Sequence, residues 1–208
     1  SYTKYVIFER VEKLKKELNN SSDIVIREVV CGKKNINLIF LTSVVDEELF
    51  TNGILSPLID FGKKLSENNE DNKQTDFDLD ILVNEILKAM HIKKVDTYKE
   101  IVQSLCDDQV LLFLEKESSV LAIDITKYPM RMPSDPPTSS VLKGPREGFV
   151  EDFDCNIALL RRRFSSGKLV ISEIKIGRYS QSKVALAYLQ GVADKKTVKK
   201  IKKRLEAI

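Results

Sequence analysis

LVISEIKIGRYSQSKVALAYLQGVAD, residues 169–194, contains two runs rich in apolar and β-branched residues on either side of Gly177. Such runs are typical of β-strands, and a glycine between them permits the turn of a hairpin. The stretch IVIREVVCG, residues 24–32, begins in the same way, so that Gly32 corresponds to Gly177. The sequence therefore predicts a strand–turn–strand hairpin that occurs twice, with a longer turn in the second copy.

Amphipathic helical patterns flank both hairpins. Apolar residues recur with helical spacing before each hairpin and predict one buried face, formed first by Ile7, Val11, Leu14 and Leu18 and later by Phe153, Ile157, Leu160 and Phe164. After the first hairpin, Asp46 can cap the helix that follows, and Asp194 closes the second hairpin at the equivalent position. We interpret this order as an internal duplication of one helix–strand–turn–strand–helix unit.

Proline marks the boundary between the two copies. Five of the six prolines lie between Tyr128 and Arg146, where neither a helix nor a central strand could persist. We predict a Pro-rich linker at 129–147 between an N-terminal lobe, 1–128, and a C-terminal lobe, 148–208. The predicted fold class is α+β, with two mixed α/β lobes. Since an isolated two-stranded ribbon is marginal, the C-terminal lobe should lean on the first lobe or be completed beyond Ile208.

The middle of the N-terminal lobe adds further elements. Ser56-Pro57 is a helix start signal, with serine as the N-cap and proline at the first helical position. The polar stretch 65–75 predicts a mobile loop. Beyond it, the pattern predicts helices and then a strand pair, at 79–90, 97–105, 110–115 and 120–126.

Charge divides unevenly along the chain. Residues 148–208 carry 14 Lys and Arg but 6 Asp and Glu, a net charge of +8, so the first 147 residues carry −5 of the chain's net +3. This asymmetry indicates two unlike lobes or a basic face directed at a partner. The sequence holds neither a signal-peptide pattern nor an apolar run of roughly 18 residues, so we expect a soluble piece of a longer protein.

Residues for catalysis or metal binding are sparse. The chain has one histidine, His91, and three scattered cysteines, so neither a Ser-His-Asp triad nor a zinc site is readily assembled. The segment 76–80, DFDLD, imitates the start of a calcium loop but lacks the required glycine and glutamate, so a helix cap at Asp78 or Asp80 is favoured. Glycine-rich phosphate loops are also missing. We predict no enzyme activity, no cofactor and no metal.

Basic segments and the linker end supply the binding candidates. The lysine face of 195–204 and the triplet Arg161-Arg162-Arg163 are most simply solvated helix faces, and a membrane surface is favoured over nucleic acid because aromatic residues nearby are few. The stretch 143–149 is either a plain linker or part of a ligand site at the lobe junction. Our candidates for that site or interface are Arg146, Glu147, Phe149, Glu173 and Arg178.

Several motifs carry a resemblance to a known family. They are PREGFVED at 145–152, NIALLRRR at 156–163, KIGRYS at 175–180 and KVALAYLQGVAD at 183–194, with weaker matches at 44–46 and 54–58. Together they resemble the N-terminal region of the A subunits of GerA-type spore germinant receptors. Phe40-Leu41-Thr42-Ser43 departs from the pattern, since the second copy has Tyr188 and Gly191 at the equivalent positions, and Ser182 stands where threonine is commoner.

The resemblance implies a subunit of a receptor in the spore inner membrane, where A, B and C subunits respond to amino acids, sugars or nucleosides and trigger ion release. It implies B and C subunits as partners, homo-oligomers of A subunits, and a core-facing position for this part of the chain. The main hypothesis is a domain for germinant sensing, receptor assembly and signal transmission. The alternatives are a module that binds the germinant itself and, third, a nucleic-acid-binding domain that uses the basic C-terminal helix.

Overall fold

The computed structural model describes residues 2–42, 45–67, 77–89, 91–125 and 148–208, with the backbone alone for 2–8. The predicted linker, 129–147, and most of the predicted polar loop lie outside the described residues. The elements in chain order are α1 (Tyr2–Glu17), β1 (Ile24–Cys31), β2 (Lys34–Leu41), α2 (Glu47–Phe50), the π-helical π1 (Thr51–Leu55), α3 (Ser56–Glu67), α4 (Leu79–Ile81), π2 (Leu82–Ile86), β3 (His91–Val95), α5 (Tyr98–Cys106), β4 (Val110–Leu114), β5 (Val120–Asp124), α6 (Phe153–Arg163), β6 (Leu169–Ile176), β7 (Ser182–Leu189) and α7 (Lys195–Leu205). This mixed α/β content matches the predicted fold class.

The part of the chain before residue 126, here called the N-terminal unit, contains a five-stranded antiparallel sheet in the order β1-β2-β4-β5-β3. Its central strands are buried on both faces. Leu38 and Leu112 lie in a core with helices α2 to α4, whereas Ile39 and Leu111 lie in a core with α1 and α5. Successive strand residues point to opposite faces, so the unbroken apolar run of β4 fits a sheet that is covered on both sides.

Side-chain caps begin several helices as expected. Asp46 accepts a hydrogen bond from the backbone N–H of Leu49, and Asp78 accepts two from the first turn of α4. Asp194 caps α7 in the same way. These contacts confirm the predicted cap at Asp46 and decide for Asp78 between the two candidates Asp78 and Asp80, because a short side-chain oxygen satisfies amide groups that have no partner in the first helical turn.

Helix α3 is assigned from Ser56, but the predicted serine N-cap is wrong. Ser56 has helical dihedral angles and continues the helix that begins at Glu47. Pro57 lacks an N–H and would leave the carbonyl of Gly53, four residues earlier, without its partner. The π turn of Thr51–Leu55 accommodates the proline, and the Gly53 carbonyl instead accepts a hydrogen bond from Lys88 N at 3.1 Å. A long-range contact thus replaces the local one.

The helix predicted over 79–90 ends earlier than expected. Its last residues give way to an extended backbone at Leu87, and His91–Val95 forms the edge strand β3. This strand pairs with β5, with His91 opposite Asp124 and Val95 opposite Val120. The sequence predicts no element at 91–95, because the strand that pairs with this segment is remote in the chain. His91 is an exposed residue of the edge strand.

Residues 148–208, here called the C-terminal unit, form a hairpin of β6 and β7 between α6 and α7. Ile157 of α6 packs against Leu169 and Ile171 on one face of this ribbon. Both units thus show the predicted order of helix, strand, turn, strand and helix, and the second turn is longer, as the pairings Cys31 with Lys34 and Ile176 with Ser182 show. A common origin of the two copies stays a prediction.

Gly32→Ala tests the tight turn of the first hairpin. Gly32 has a φ of +57°, and an added Cβ would lie 3.1 Å from Leu65 Cδ1. We expect the substitution to lower the free energy of unfolding by about 1–2 kcal/mol, measured by urea denaturation. Gly53→Ala is the matched control, because nothing lies within 4 Å of its Cβ position and alanine favours a helix. Equal destabilisation by both variants would contradict the strain at Gly32.

Candidate functional site at the junction of the two units

The predicted site residues do not form one cluster among the described residues. Arg146 and Glu147 lie outside the described residues. Phe149 is 69% exposed, and the exposed Arg178 lies 5.7 Å above the ring of its neighbour Tyr179 in the second hairpin turn. Glu173 lies closest to the junction of the units, since its backbone N–H donates to Ser22 Oγ at 3.1 Å. A shared role for these five residues stays a prediction.

Arg161 makes the central contact between the units. It lies in the last turn of α6, yet it is only 3% exposed. Its Nε and Nη2 atoms donate to the two carboxylate oxygens of Asp23, each at 2.7 Å. Asp23 is 2% exposed and precedes β1 in the N-terminal unit. The two planar groups therefore form a bidentate ion pair that is sealed from water.

Further hydrogen bonds hold the same guanidinium group. Nη1 donates to the backbone carbonyl of Leu169 at 2.9 Å, and Nη2 also donates to Ser21 Oγ at 2.8 Å. Ser21 Oγ in turn donates to Asp23 Oδ1 at 2.7 Å. Buried charges are costly unless paired and hydrogen-bonded, and this network supplies partners for both ions. We call Ser21, Asp23, Arg161 and Leu169 the junction network.

The edge of β6 continues this contact along the backbone. Ile171 N–H donates to Ser21 Oγ at 2.7 Å, and the Ile171 carbonyl accepts from Ser22 N–H at 2.8 Å. The turn before β1 thus satisfies main-chain groups of an edge strand that would otherwise remain open. Asn19 and Asn20 produce this turn with φ values of +55° and +50°, a conformation that asparagine tolerates better than most residues.

A second patch joins the loop after α6 to the N-terminal unit. Gly167 lies so close to α1 and α5 that an added Cβ would come within 3.1 Å of Leu18 Cδ2 and 3.2 Å of Val102 Cγ1. Ser165 Oγ donates to Asp107 Oδ1 at 3.2 Å. The junction therefore combines a buried ion pair with close packing, so the units contact each other at more than one point.

The turn between α5 and β4 adds an unusual polar group beside the junction. Asp108 has a φ of +65°, and burial raises the pKa of its carboxyl to about 6, while the positive charges of Arg162 and Arg161 oppose that rise. Within the described residues, three buried oxygens in this turn and the end of α5 have no hydrogen-bond partner, namely Ser104 Oγ, Asp108 Oδ1 and Gln109 Oε1. A small molecule or solvent with donor groups would satisfy them.

The chemistry of the junction is that of a structural contact. Over the described ranges, no three His, Cys, Asp or Glu side chains come together as metal ligands. Cys106 lies next to this region, and burial raises the pKa of its thiol to about 11. The thiol therefore stays protonated near neutral pH and is a poor nucleophile.

The sequence carried one signal for Arg161 that the charge pattern concealed. The triplet Arg161-Arg162-Arg163 looks like a basic surface run, and Arg162 and Arg163 are indeed exposed. However, Arg161 follows the buried Ile157 by four residues and so lies on the inner face of α6. Helical spacing could thus have predicted that Arg161, unlike its two neighbours, lies on the inner face. Nothing in the sequence around Asp23 indicated that it pairs with Arg161.

The fold is similar to that of a class of receptor domains. The crystal structure of the N-terminal domain of the A subunit of the Bacillus megaterium spore germinant receptor GerK3 superposes with a TM-score of 0.68 at 25% identity. That match covers 95% of this chain and 70% of the solved chain. The chain belongs to the family described as Bacillus/Clostridium GerA spore germination protein, whose family model matches residues 12–208.

Relatives from Bacillus subtilis align along nearly the whole chain. Spore germination protein KA is 25% identical over 96% of this chain and 36% of its own length. The uncharacterized membrane protein YfkQ is 28% identical over 96% of this chain and 37% of its own length. The chain thus spans little more than a third of these relatives. None of the helices in its described part is long and apolar enough to cross a membrane.

Arg161→Met tests the energetic weight of the junction network. Removal of one partner leaves Asp23 buried without its counter-ion, so we expect the free energy of unfolding to fall by about 3–5 kcal/mol. Arg162→Met, an exposed neighbour in the same helix, should cost less than about 0.5 kcal/mol. Urea denaturation measures both. The double variant Asp23→Leu with Arg161→Met should lose less free energy of unfolding than the two single variants lose in sum. Additive losses would contradict the pairing.

Asp108→Asn tests the raised pKa at the junction. Because the pKa in the folded state, about 6, lies above the ordinary value of 3.8, the free energy of unfolding should fall as the pH rises through that window. The variant should lose this dependence and be more stable at pH 7 by on the order of 1 kcal/mol, since the carboxyl is partly screened by solvent. Asparagine also tolerates the positive φ. Thermal melts across the pH range, with Asp60→Asn as the control for loss of one exposed negative charge, measure the effect.

Proposed function

We propose that the chain is the N-terminal domain of a germinant-receptor A subunit and that it transmits the germination signal between its two units and the rest of the receptor. The observation that carries this proposal is the buried ion pair of Arg161 with Asp23, which joins the units. Family membership and the likeness to the GerK3 domain supply the receptor context.

The junction network suits transmission because it resists partial separation. If the C-terminal unit tilted away, Asp23 and Arg161 would each lose a partner while still shielded from water, which is costly. The two units therefore move together for small displacements, and a shift of one unit is passed to the other. A pair of opposite charges at the surface would be too weak to couple them in this way.

Family membership and the likeness to the GerK3 domain also support a proposal for the partners and the location. We propose that the full-length protein lies in the spore inner membrane, with this domain facing the core, and that it assembles with B and C subunits and further A subunits. The name of the relative YfkQ, a membrane protein, supports a membrane position. The role is non-enzymatic, with no cofactor and no nucleic acid as partner. Burial raises the pKa of the Cys31 thiol to about 11 as well, which disfavours thiolate chemistry there.

Spores that carry Arg161→Met in the full-length subunit test the signalling role. We expect germinant-triggered ion release to slow at least about tenfold, because the units are no longer coupled, while Arg162→Met spores respond normally. Immunoblots of the receptor establish that the amounts are equal, and where Arg161→Met lowers them, the double variant with Asp23→Leu is compared instead. A normal response at normal receptor levels would refute transmission through the junction.

The predicted site candidates are tested in the same assay. We propose Arg146, Glu147, Phe149, Glu173 and Arg178 as contacts to other subunits. Alanine at such a contact should reduce ion release, and at the exposed Phe149, Glu173 and Arg178 it should do so without loss of domain stability, because exposed side chains contribute little to folding. Normal germination at normal receptor levels would remove a residue from the interface.

A second candidate function is germinant binding by the domain itself. The observation in its favour is the set of partnerless buried oxygens on Ser104, Asp108 and Gln109 beside the junction. Titration of the chain with amino acids, nucleosides and sugars, followed by amide NMR shifts, measures binding. A germinant that uses this site should shift residues 104–109 in the wild type and bind more weakly to Asp108→Asn. A full panel without shifts would remove the idea.

A further inference from the structure

Helix α7 presents an unusual concentration of positive charge. Its sequence, KKTVKKIKKRL, contains seven basic residues and no acidic one. The side chains of six of the seven are exposed, and Lys202, half-buried, lies 5.8 Å above the ring of Tyr188 in β7. Within the described residues none of the seven forms an ion pair, whereas Lys94 and Arg161 elsewhere do. The charge of α7 is thus left uncompensated by the fold.

The other face of the same helix is apolar and lies toward the protein. Val198, Ile201 and Leu205 recur with helical spacing; Val198 and Leu205 are half-buried, whereas Ile201 is 38% exposed. The contact of Lys202 with Tyr188 shows that α7 lies on the ribbon face opposite α6, because Tyr188 pairs with Val170 while Leu169 and Ile171 face α6. The apolar stripe therefore serves to hold the helix on the ribbon, and the basic rows point outward.

Like charges at neighbouring helical positions repel one another, so this face is stabilised by a partner that carries many negative charges. Few aromatic side chains accompany it: Tyr188 is covered by Lys202, and α7 itself has none. Single-stranded nucleic acid is usually bound with stacked aromatic residues. Just before the helix, Val192 is 77% exposed, which suits the boundary between lipid headgroups and acyl chains.

We infer that the outer face of α7 binds the surface of a bilayer that contains acidic phospholipids, with its lysines against the lipid phosphates. This inference rests on the proposed membrane position of the full-length protein. Each Lys or Arg near such a surface adds to the attraction, and the effect fades beyond a Debye length, so the binding should weaken steeply with salt. The helix lies flat on the surface and does not insert through it.

Vesicle cosedimentation of the 208-residue chain tests this contact. The probes are vesicles of phosphatidylglycerol mixed with phosphatidylcholine, and vesicles of phosphatidylcholine alone. The triple variant Lys195→Glu, Lys199→Glu, Lys203→Glu reverses one outward row of α7. We expect it to bind the anionic vesicles at least about a hundredfold more weakly than the wild type, since several charges act together.

The control variant makes the same change of net charge elsewhere. Lys33→Glu, Lys63→Glu and Lys64→Glu are exposed positions of the N-terminal unit, and they should alter vesicle binding less than about threefold. Far-UV circular dichroism establishes that both variants are folded. Equal losses in the two variants, absence of binding to anionic vesicles at low salt, or tighter binding to an RNA or DNA oligomer than to the vesicles would each overturn the inference.

The outcome is separable from that of the signalling proposal. Vesicle binding is measured on the chain alone and does not involve germination, whereas the Arg161 experiment is scored by ion release. Loss of germination in Arg161→Met spores, together with no vesicle binding, would remove the lipid contact and leave the receptor role intact. If the chain binds the anionic vesicles but Arg161→Met spores germinate normally, the lipid contact stands and the signalling role is removed.

Discussion

The buried ion pair between Arg161 and Asp23 is the contact on which the arrangement of the two units depends. The C-terminal unit has a small core of its own, centred on Ile157, Leu169 and Ile171, and a two-stranded ribbon with so few buried residues is marginal in isolation. Its edge is completed by the turn before β1, and its helix α6 is fixed by the guanidinium group. The C-terminal unit is therefore stabilised by its contacts with the N-terminal unit.

The same contact supports the signalling role that we propose. Partial separation of a bidentate ion pair that is shielded from water is costly, because each ion loses its partner before water reaches it. Such a contact resists small relative movements of the two units. The partnerless oxygens around Asp108 lie at the same boundary, so a change of protonation or an occupant there would act directly on the contact.

Local sequence predicted much of this fold because hairpins, caps and amphipathic faces depend on neighbouring residues. The two hairpins, the capping aspartates and the mixed α/β class were all predictable on those grounds. The edge strand β3 was not, because it depends on pairing with β5, which is remote in the chain. The predicted N-cap at Ser56, before Pro57, failed for a similar reason, because the Gly53 carbonyl accepts its hydrogen bond from the distant Lys88. Arg161 was hidden in a basic triplet because its partner is remote in sequence.

The structure shows that the basic residues of the C-terminal unit have two different environments. Among the basic residues of the C-terminal unit, Arg161 is buried and its charge is neutralised by Asp23. It therefore adds nothing to the positive charge at the protein surface. Helix α7 holds seven of the fourteen Lys and Arg residues of that unit, and among the described residues none of the seven forms an ion pair. One helix, α6, thus contributes a buried charge to the junction with the N-terminal unit, while the other, α7, carries charges for the lipid contact that we infer. Salt screens a buried pair much less than exposed charges, so the junction should depend far less on ionic strength than the inferred lipid contact.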